Sequence, residues 1–240
     1  MTTMTTTDSE IEQRRARLAE LNGRMRRCTA CALARGRTQV VPGDGRIDAE
    51  IMFIGEAPGY YEDQQGRPFV GAAGQFLEQL LEGIGLKRSD VFIANVIKCR
   101  PPSNRDPLPA EIDACSAWLD QQIEIVEPKV VVTLGRYSLG RYFPGQPISR
   151  IHGQARKMGV GPLTPNPGGT GSRGARSVWV VPMYHPAAAL HQGSLRRVIE
   201  EDFKKLPAYV EQALREYEEA RQPVLAAPPA APAVEQGRLF

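Results

Sequence analysis

No stretch of the 240 residues approaches the roughly 18 consecutive apolar side chains that a membrane-spanning helix needs, so no membrane association is expected. The opening MTTMTTTDSE has neither the basic segment nor the apolar core of a secretory leader, and the chain is expected in the cytoplasm. An excess of one charge is also missing: 30 Lys and Arg face 27 Asp and Glu, a net +3, so bulk electrostatics make no case for a nucleic-acid partner. Cysteine is sparse, with four in the chain, and in a reducing compartment clustered cysteines more often bind metal than pair as disulfides. There are no internal repeats, which excludes a solenoid.

What is present suits one globular domain with a tail. Hydrophobic residues make up 42% and charged residues 24%, enough to bury a real core. Arginines gather locally, at Arg24, Arg26 and Arg27, at Arg100 and Arg105, at Arg173 and Arg176, and at Arg196 and Arg197. Such a patchy basic surface is compatible with phosphate contacts, and equally with ordinary solvated side chains.

Residues 10 to 26 carry Ile11, Leu18, Leu21 and Met25 in a polar field, a modest helical pattern. Four apolar runs read as strands: Ile51 to Ile54, Val91 to Ile97, Val130 to Leu134 and Val178 to Met183. They are rich in β-branched residues and nearly continuous in hydrophobicity, as strands covered on both faces are. Helices are expected at Gln75 to Ile84, at Ala110 to Val126 behind Pro109, and at Arg136 to Tyr142. Leu195, Ile199, Phe203, Leu206 and Val210 mark a further amphipathic helix, kinked at Pro207. This alternation predicts an α/β fold, a three-layer α/β/α sandwich around a mostly parallel four-stranded sheet. The expected division is an extension over 1–22, a main domain over 23–212, and a disordered Ala/Pro-rich tail over 213–240. Gly159 to Gly174 reads as a mobile Gly/Pro-rich loop.

Three polar motifs fall at carboxyl ends of expected strands. The first strand runs into Gly55-Glu56-Ala57-Pro58-Gly59, the second carries Asn95 and runs into Lys98-Cys99-Arg100-Pro101-Pro102, and the fourth ends in His185-Pro186-Ala187. Ligands of open α/β sheets bind beyond those ends, so a carboxylate, an amide and an imidazole converging there look like an active site. Each motif alone would pass for a tight turn. The cysteines are independent of this. Cys28 and Cys31 form C-x2-C, and with Cys99 and Cys115 they make the four thiolates that close a zinc site or hold an iron–sulfur cluster; spacing alone does not separate the two.

GEAPG at 55–59, GRPFVG at 66–71, NVIKCRPP at 95–102 and HPAA at 185–188, with the order and spacing of the cysteines, resemble the motif set of the family 4 uracil-DNA glycosylases over roughly residues 20 to 210. The resemblance implies the uracil-glycosylase sandwich, a 4Fe–4S cluster on Cys28, Cys31, Cys99 and Cys115, and monofunctional removal of uracil from single- and double-stranded DNA by a monomer. It implies that His185 donates to uracil O2, that Asn95 reads the base edge, that Phe69 stacks on the extruded base, and that the backbone at Gly55, Glu56 and Ala57 lines the pocket. Phe69 also reads as a core aromatic, within the apolar run Pro68-Phe69-Val70. Family 1 enzymes carry a water-orienting aspartate where Ala57 stands here, which leaves Glu56 as the substitute catalytic carboxylate. Glu62 and Asn104 resemble further polar family positions. After HPAA, Leu190 or His191 is the expected wedge into the duplex, with Arg196 and Arg197 on nearby phosphates. His152 acquires no role.

Two rival readings differ in class. Superfamily relatives that trap uracil-DNA covalently use a histidine in a basic insertion after the second motif, and residues Arg100 to Arg105 have neither. A zinc-stabilised α/β protein outside repair would be colourless when purified, where an iron–sulfur protein is brown. Finally, Gln236-Gly237-Arg238-Leu239-Phe240 resembles the Q-x-x-L-F peptides by which bacterial repair proteins dock on the sliding clamp, with Gln236, Leu239 and Phe240 as anchors on an Ala/Pro-rich tether.

Overall fold

The protein is described by a computed structural model, which covers residues 6–160 and 176–221. Helix α1 (Thr6–Arg26) is followed by β1 (Asp44–Gly45), β2 (Ile51–Gly55), α2 (Tyr60–Gln65), α3 (Ala72–Glu82), β3 (Phe92–Asn95), α4 (Pro109–Val126), β4 (Val130–Leu134), α5 (Arg136–Tyr142), α6 (Ile148–Ile151), β5 (Arg156–Val160), β6 (Arg176–Met183), α7 (Pro186–His191), α8 (Ser194–Phe203) and α9 (Leu206–Arg221). The sheet has six strands in the order β1-β3-β2-β4-β6-β5. Its four inner strands are parallel, as expected, and β1 and β5 add antiparallel edges. The expected count of four is thus corrected to six. The missed strands have no apolar signature: β1 is a two-residue Asp-Gly pair, and β5 reads RKMGV, running into the segment expected as loop.

Alternate residues of each inner strand feed two cores, which is what makes the fold three-layered. Met52, Ile54, Phe92, Ala94 and Val131 pack with Leu21 and Met25 of α1 and with Leu119 and Ile123 of α4. Ile51, Phe53, Ile93, Val130 and Val132 pack on the other face with Leu77 and Leu81 of α3 and Ile199 and Phe203 of α8. The boundary expected at 22/23 falls inside α1, whose Met25 is fully buried. Arg14 ties this helix down by donating to the carbonyls of Ile125 at 2.7 Å, Ile47 at 2.9 Å and Val126, two of which close the end of α4.

The expected kink at Pro207 is a break. Helix α8 ends at Phe203, and Pro207 sits second in α9, where its missing N–H leaves no bond unmade. Helix α9 continues to Arg221, well into the segment expected as tail, because Tyr209, Val210 and Ala213 join the second core and Glu216 accepts from Trp179 Nε1 at 3.3 Å. Most of the Gly-rich loop and the peptide bearing Gln236, Leu239 and Phe240 lie outside the described residues.

Candidate active site

The chain passes from β2 to β3 on one side and then crosses to β4 on the other, so the carboxyl end of β2 is a topological switch point. Three side chains meet there. Asn95, in register with Gly55, is 2% exposed, and its Oδ1 has no hydrogen-bond partner. A Cβ on Gly55 would lie 2.4 Å from that oxygen and 2.7 Å from the Phe69 ring, so only glycine leaves the space between them open. The Phe69 ring in turn stacks on His185, with centroids 5.3 Å apart and planes at 27°. A Cβ on Gly135, whose φ is +88°, would stand 3.2 Å from His185 Cβ.

His185 caps the start of α7, ahead of Pro186 at its first position. Its Nδ1 accepts the Ala187 amide at 3.1 Å. A backbone N–H can only donate, so Nδ1 is bare and a neutral ring carries its proton on Nε2. Burial pushes the imidazole pKa down to about 4, against the opposing pull of the Glu62 carboxylate. The ring is therefore a neutral Nε2–H donor at ordinary pH.

Phe69 is held at a φ of +52°, a left-handed backbone that a bulky residue enters only at a cost of roughly 1–2 kcal/mol. Both sides of the bend are clamped. Glu62 Oε1 accepts the amides of Val70 and Gly71, each at 2.9 Å, while its Oε2 accepts Gly59 at 3.1 Å, fastening the GEAPG and GRPFVG loops to one carboxylate. From the opposite side Arg88 donates to the carbonyl of Phe69 at 2.9 Å and to that of Pro68. Gly74 of α3 completes the seat, since a Cβ there would fall 1.9 Å from the Phe69 carbonyl oxygen. Sequence reasoning missed Arg88. In Lys87-Arg88-Ser89-Asp90 it looks like a surface cation, and only the fold brings it under Phe69. It lines a shallow cleft of about 660 Å³ with Asp44, Arg67 and Glu78, which holds none of the expected site residues.

The sequence profile of the Uracil DNA glycosylase superfamily matches residues 42–216, which include every residue of this constellation. Among individual proteins, the chain is 50% identical over 190 residues to the type-4 uracil-DNA glycosylase of Sulfurisphaera tokodaii, covering 75% of this chain and 78% of that one. Its counterpart in Archaeoglobus fulgidus is 44% identical, over 75% of this chain and 86% of that protein. The one in Thermotoga maritima is 41% identical, over 78% and 91%. The chain belongs to the type-4 uracil-DNA glycosylase family.

In this type-4 family member the four cysteines line one pocket, together with Met25, Val40 and Trp118. None of the four is in a disulfide; Cys99 and Cys115 are buried, Cys28 and Cys31 partly so. Burial pushes both buried thiols up, Cys115 to about 11, so a bound metal and not the solvent would have to hold them as thiolates. Arg37 and Lys98 flank them, and complete burial lowers the Lys98 amine to about 7. Arg37 donates to Cys99 Sγ at 3.2 Å, and the backbone amide of fully buried Lys98 donates to Cys115 Sγ at 3.3 Å. Lys98 Nζ reaches the other way, to the Asn95 carbonyl at 2.7 Å and Gln122 Oε1 at 2.6 Å, joining the cysteine pocket to the end of β3. Among the described residues no three His, Cys, Asp or Glu side chains are grouped for a single ion.

The remaining expected residues scatter. Glu56 is partly buried, and burial raises its pKa, with Asp106 adding to the shift and Arg136 opposing it. Asn104, at φ +55°, accepts from Arg100 Nε at 2.7 Å on the surface. Leu190 is 51% exposed at the far end of α7, beside exposed His191. Arg196 is engaged with Glu200 at 3.0 Å, Gln79 at 3.2 Å and the Phe76 ring at 4.5 Å, whereas among the described residues Arg197 makes an exposed pair with Glu201. His152 bonds buried Asp202 at 2.6 Å, a tie between the end of α6 and α8.

Proposed function

We propose that this chain removes uracil from single- and double-stranded DNA by hydrolysing its N-glycosidic bond, leaving an abasic site. The observation that carries the reading is the buried, partnerless Asn95 Oδ1 across Gly55 from the Phe69 ring, which in turn stacks on the neutral, Nε2-protonated ring of His185. Uracil offers a donor at N3 and an acceptor at O4, so the Asn95 amide satisfies both, whereas cytosine presents the opposite pattern. A buried acceptor with no partner costs about 1–3 kcal/mol, and the N3–H of the extruded base relieves it. Phe69 stacks on the base. The C1′–N1 bond breaks with its electron pair going to uracil, and His185 donates to O2 as negative charge grows there. The oxygen of water then joins C1′ and its proton leaves. Ala57 supplies no carboxylate for that water, so Glu56 takes the role; its raised pKa makes it a better base than a solvated glutamate.

Cys28, Cys31, Cys99 and Cys115 would hold a 4Fe–4S cluster, which supplies a cross-link between the α1 end, the β3 end and α4, since glycosidic hydrolysis moves no electrons. Leu190 is the wedge that replaces the extruded nucleotide, with His191 and Arg197 towards the backbone; the engagement of Arg196 with its own chain makes it the lesser phosphate contact. The enzyme works as a monomer in the cytoplasm, and no described helix is long and apolar enough to cross a membrane. Residues 230–240 dock on the bacterial sliding clamp through Gln236, Leu239 and Phe240, with a dissociation constant on the order of micromolar for so short an anchor. Absence of binding to that peptide at high micromolar concentration in fluorescence polarisation removes the clamp from the account.

The decisive experiment incubates the protein with a uracil-bearing oligonucleotide and cleaves abasic sites with alkali. Under single-turnover conditions His185→Ala and Asn95→Asp should each lose on the order of 10²-fold or more in rate. Excision by His185→Ala at the parent rate would remove the leaving-group role.

A further inference from the structure

Two of the four large apolar side chains exposed among the described residues are neighbours: Tyr60 at 52% and Tyr61 at 61%. Single exposed aromatics are ordinary on protein surfaces, but a contiguous and ordered pair is not. These two meet edge to face, with centroids 5.4 Å apart and planes at 80°. They open α2 immediately after Gly59, in the same turn whose Glu62 fastens the GEAPG and GRPFVG loops. Tyr61 lies against the second loop, its Cδ2 being 3.5 Å from where a Cβ on Gly71 would stand. Tyr60 reaches the third motif, with the Arg100 guanidinium over its ring at 5.1 Å. Arg100 is itself steered by Asn104 Oδ1 at 2.7 Å, from a turn in which Ser103 and Asn104 both adopt positive φ. The pair therefore touches both the second and the third motif, beyond the carboxyl ends of β2 and β3 that carry Gly55 and Asn95.

Exposed rings capped by a guanidinium next to a nucleotide site have a chemistry of their own. Bases stack on aromatic and Arg planes whatever their sequence, and Arg adds attraction for the phosphate between them. We propose that Tyr60, Tyr61 and Arg100 form a stacking subsite for the nucleobase next to the extruded uracil, with Asn104 as the residue that positions Arg100. This rests on the reading of the Asn95–Phe69–His185 site as the uracil site. The pair follows the GEAPG loop directly and shares α2 with Glu62, which holds the Phe69 loop, so its occupant is the same DNA strand, one nucleotide away.

The test compares single-stranded oligonucleotides carrying ordinary bases on both sides of uracil with oligonucleotides carrying baseless tetrahydrofuran spacers there. On the first substrate the double variant Tyr60→Ala, Tyr61→Ala should lose about tenfold in kcat/KM, the loss typical of one stacked base. On the spacer substrate that loss should vanish, because the base that the tyrosines hold is already gone. Tyr60→Phe, Tyr61→Phe should restore the parent value, since a stack needs the ring and not the hydroxyl. An equal loss on both substrates, no loss on either, or failure of the Phe pair to rescue overturns the subsite. His185→Ala and Asn95→Asp run in parallel separate the two readings. If they excise uracil at the parent rate, the uracil site itself is misassigned; if they fail while the tyrosine pair is neutral, only the subsite falls.

Discussion

Protonation of His185 should cost this fold stability in a defined pH window. Burial lowers the imidazole from its ordinary 6.5 to about 4, and its Nδ1 already accepts the Ala187 amide, so a second ring proton has to displace that bond. As pH falls below 6.5 the unfolded chain takes up the proton first, so stability falls from there down to about pH 4 and levels off below. At roughly 1.36 kcal/mol per pKa unit the full penalty is about 3 kcal/mol, of which about 2 kcal/mol is already present at pH 5 and almost none at pH 7. The assay is urea unfolding of the parent and of His185→Gln at pH 7 and pH 5. Glutamine cannot titrate, so the parent should lose about 2 kcal/mol more than the variant between the two pH values. Other acid-sensitive groups, the cysteine pocket included, are common to both proteins and cancel. The chain has three histidines, so a nitrogen NMR titration can follow this ring directly, and should find the Nε2–H tautomer through neutral pH. An unchanged stability difference between pH 7 and 5, or titration of the ring near 6.5, would refute the partly buried neutral donor.

Further outcomes follow from the same geometry. Gly55→Ala should abolish excision while leaving a folded protein, because its methyl would sit 2.4 Å from Asn95 Oδ1 and 2.7 Å from the Phe69 ring; single-turnover cleavage at more than about a tenth of the parent rate would contradict the crowding. Arg88→Ala should slow excision about tenfold by releasing the Pro68 and Phe69 carbonyls, and should add nothing in a Phe69→Ala background, which a double-mutant cycle measures. Cys115→Ala should give a protein poor in iron and less stable by about 2 kcal/mol or more in thermal melting, and iron analysis finding a full complement would remove Cys115 from the ligand set.

Much of this protein could be read from local pattern. The four inner strands, α3, α4 and the parallel arrangement follow from continuous β-branched runs alternating with amphipathic segments, since strands buried on both faces admit little else. Asn95, His185 and the Cys28–Cys31 pair stand out by residue type where a strand ends or a C-x2-C begins, whereas Cys99 and Cys115 are weaker signals until the fold puts them in the same pocket. The edge strands β1 and β5 did not, because an edge has few apolar neighbours and leaves no periodicity to read. Nor did the continuation of α9, whose Ala213 and Glu216 find their partners on strands far away in sequence. Arg88, Lys98 and the Tyr60–Arg100 contact belong to the same class. A cation in a loop, a lysine in an apolar run and a pair of tyrosines have no fixed meaning until the chain folds. The tertiary structure alone puts Arg88 under two carbonyls of a strained bend, Lys98 between the cysteine pocket and Asn95, and Arg100 over an exposed ring. Residue type and spacing determine which elements form and which chemistry is available, because both are local. Which carbonyl a guanidinium meets is decided by the crossing of β2, β3 and β4, and no window of sequence contains that crossing.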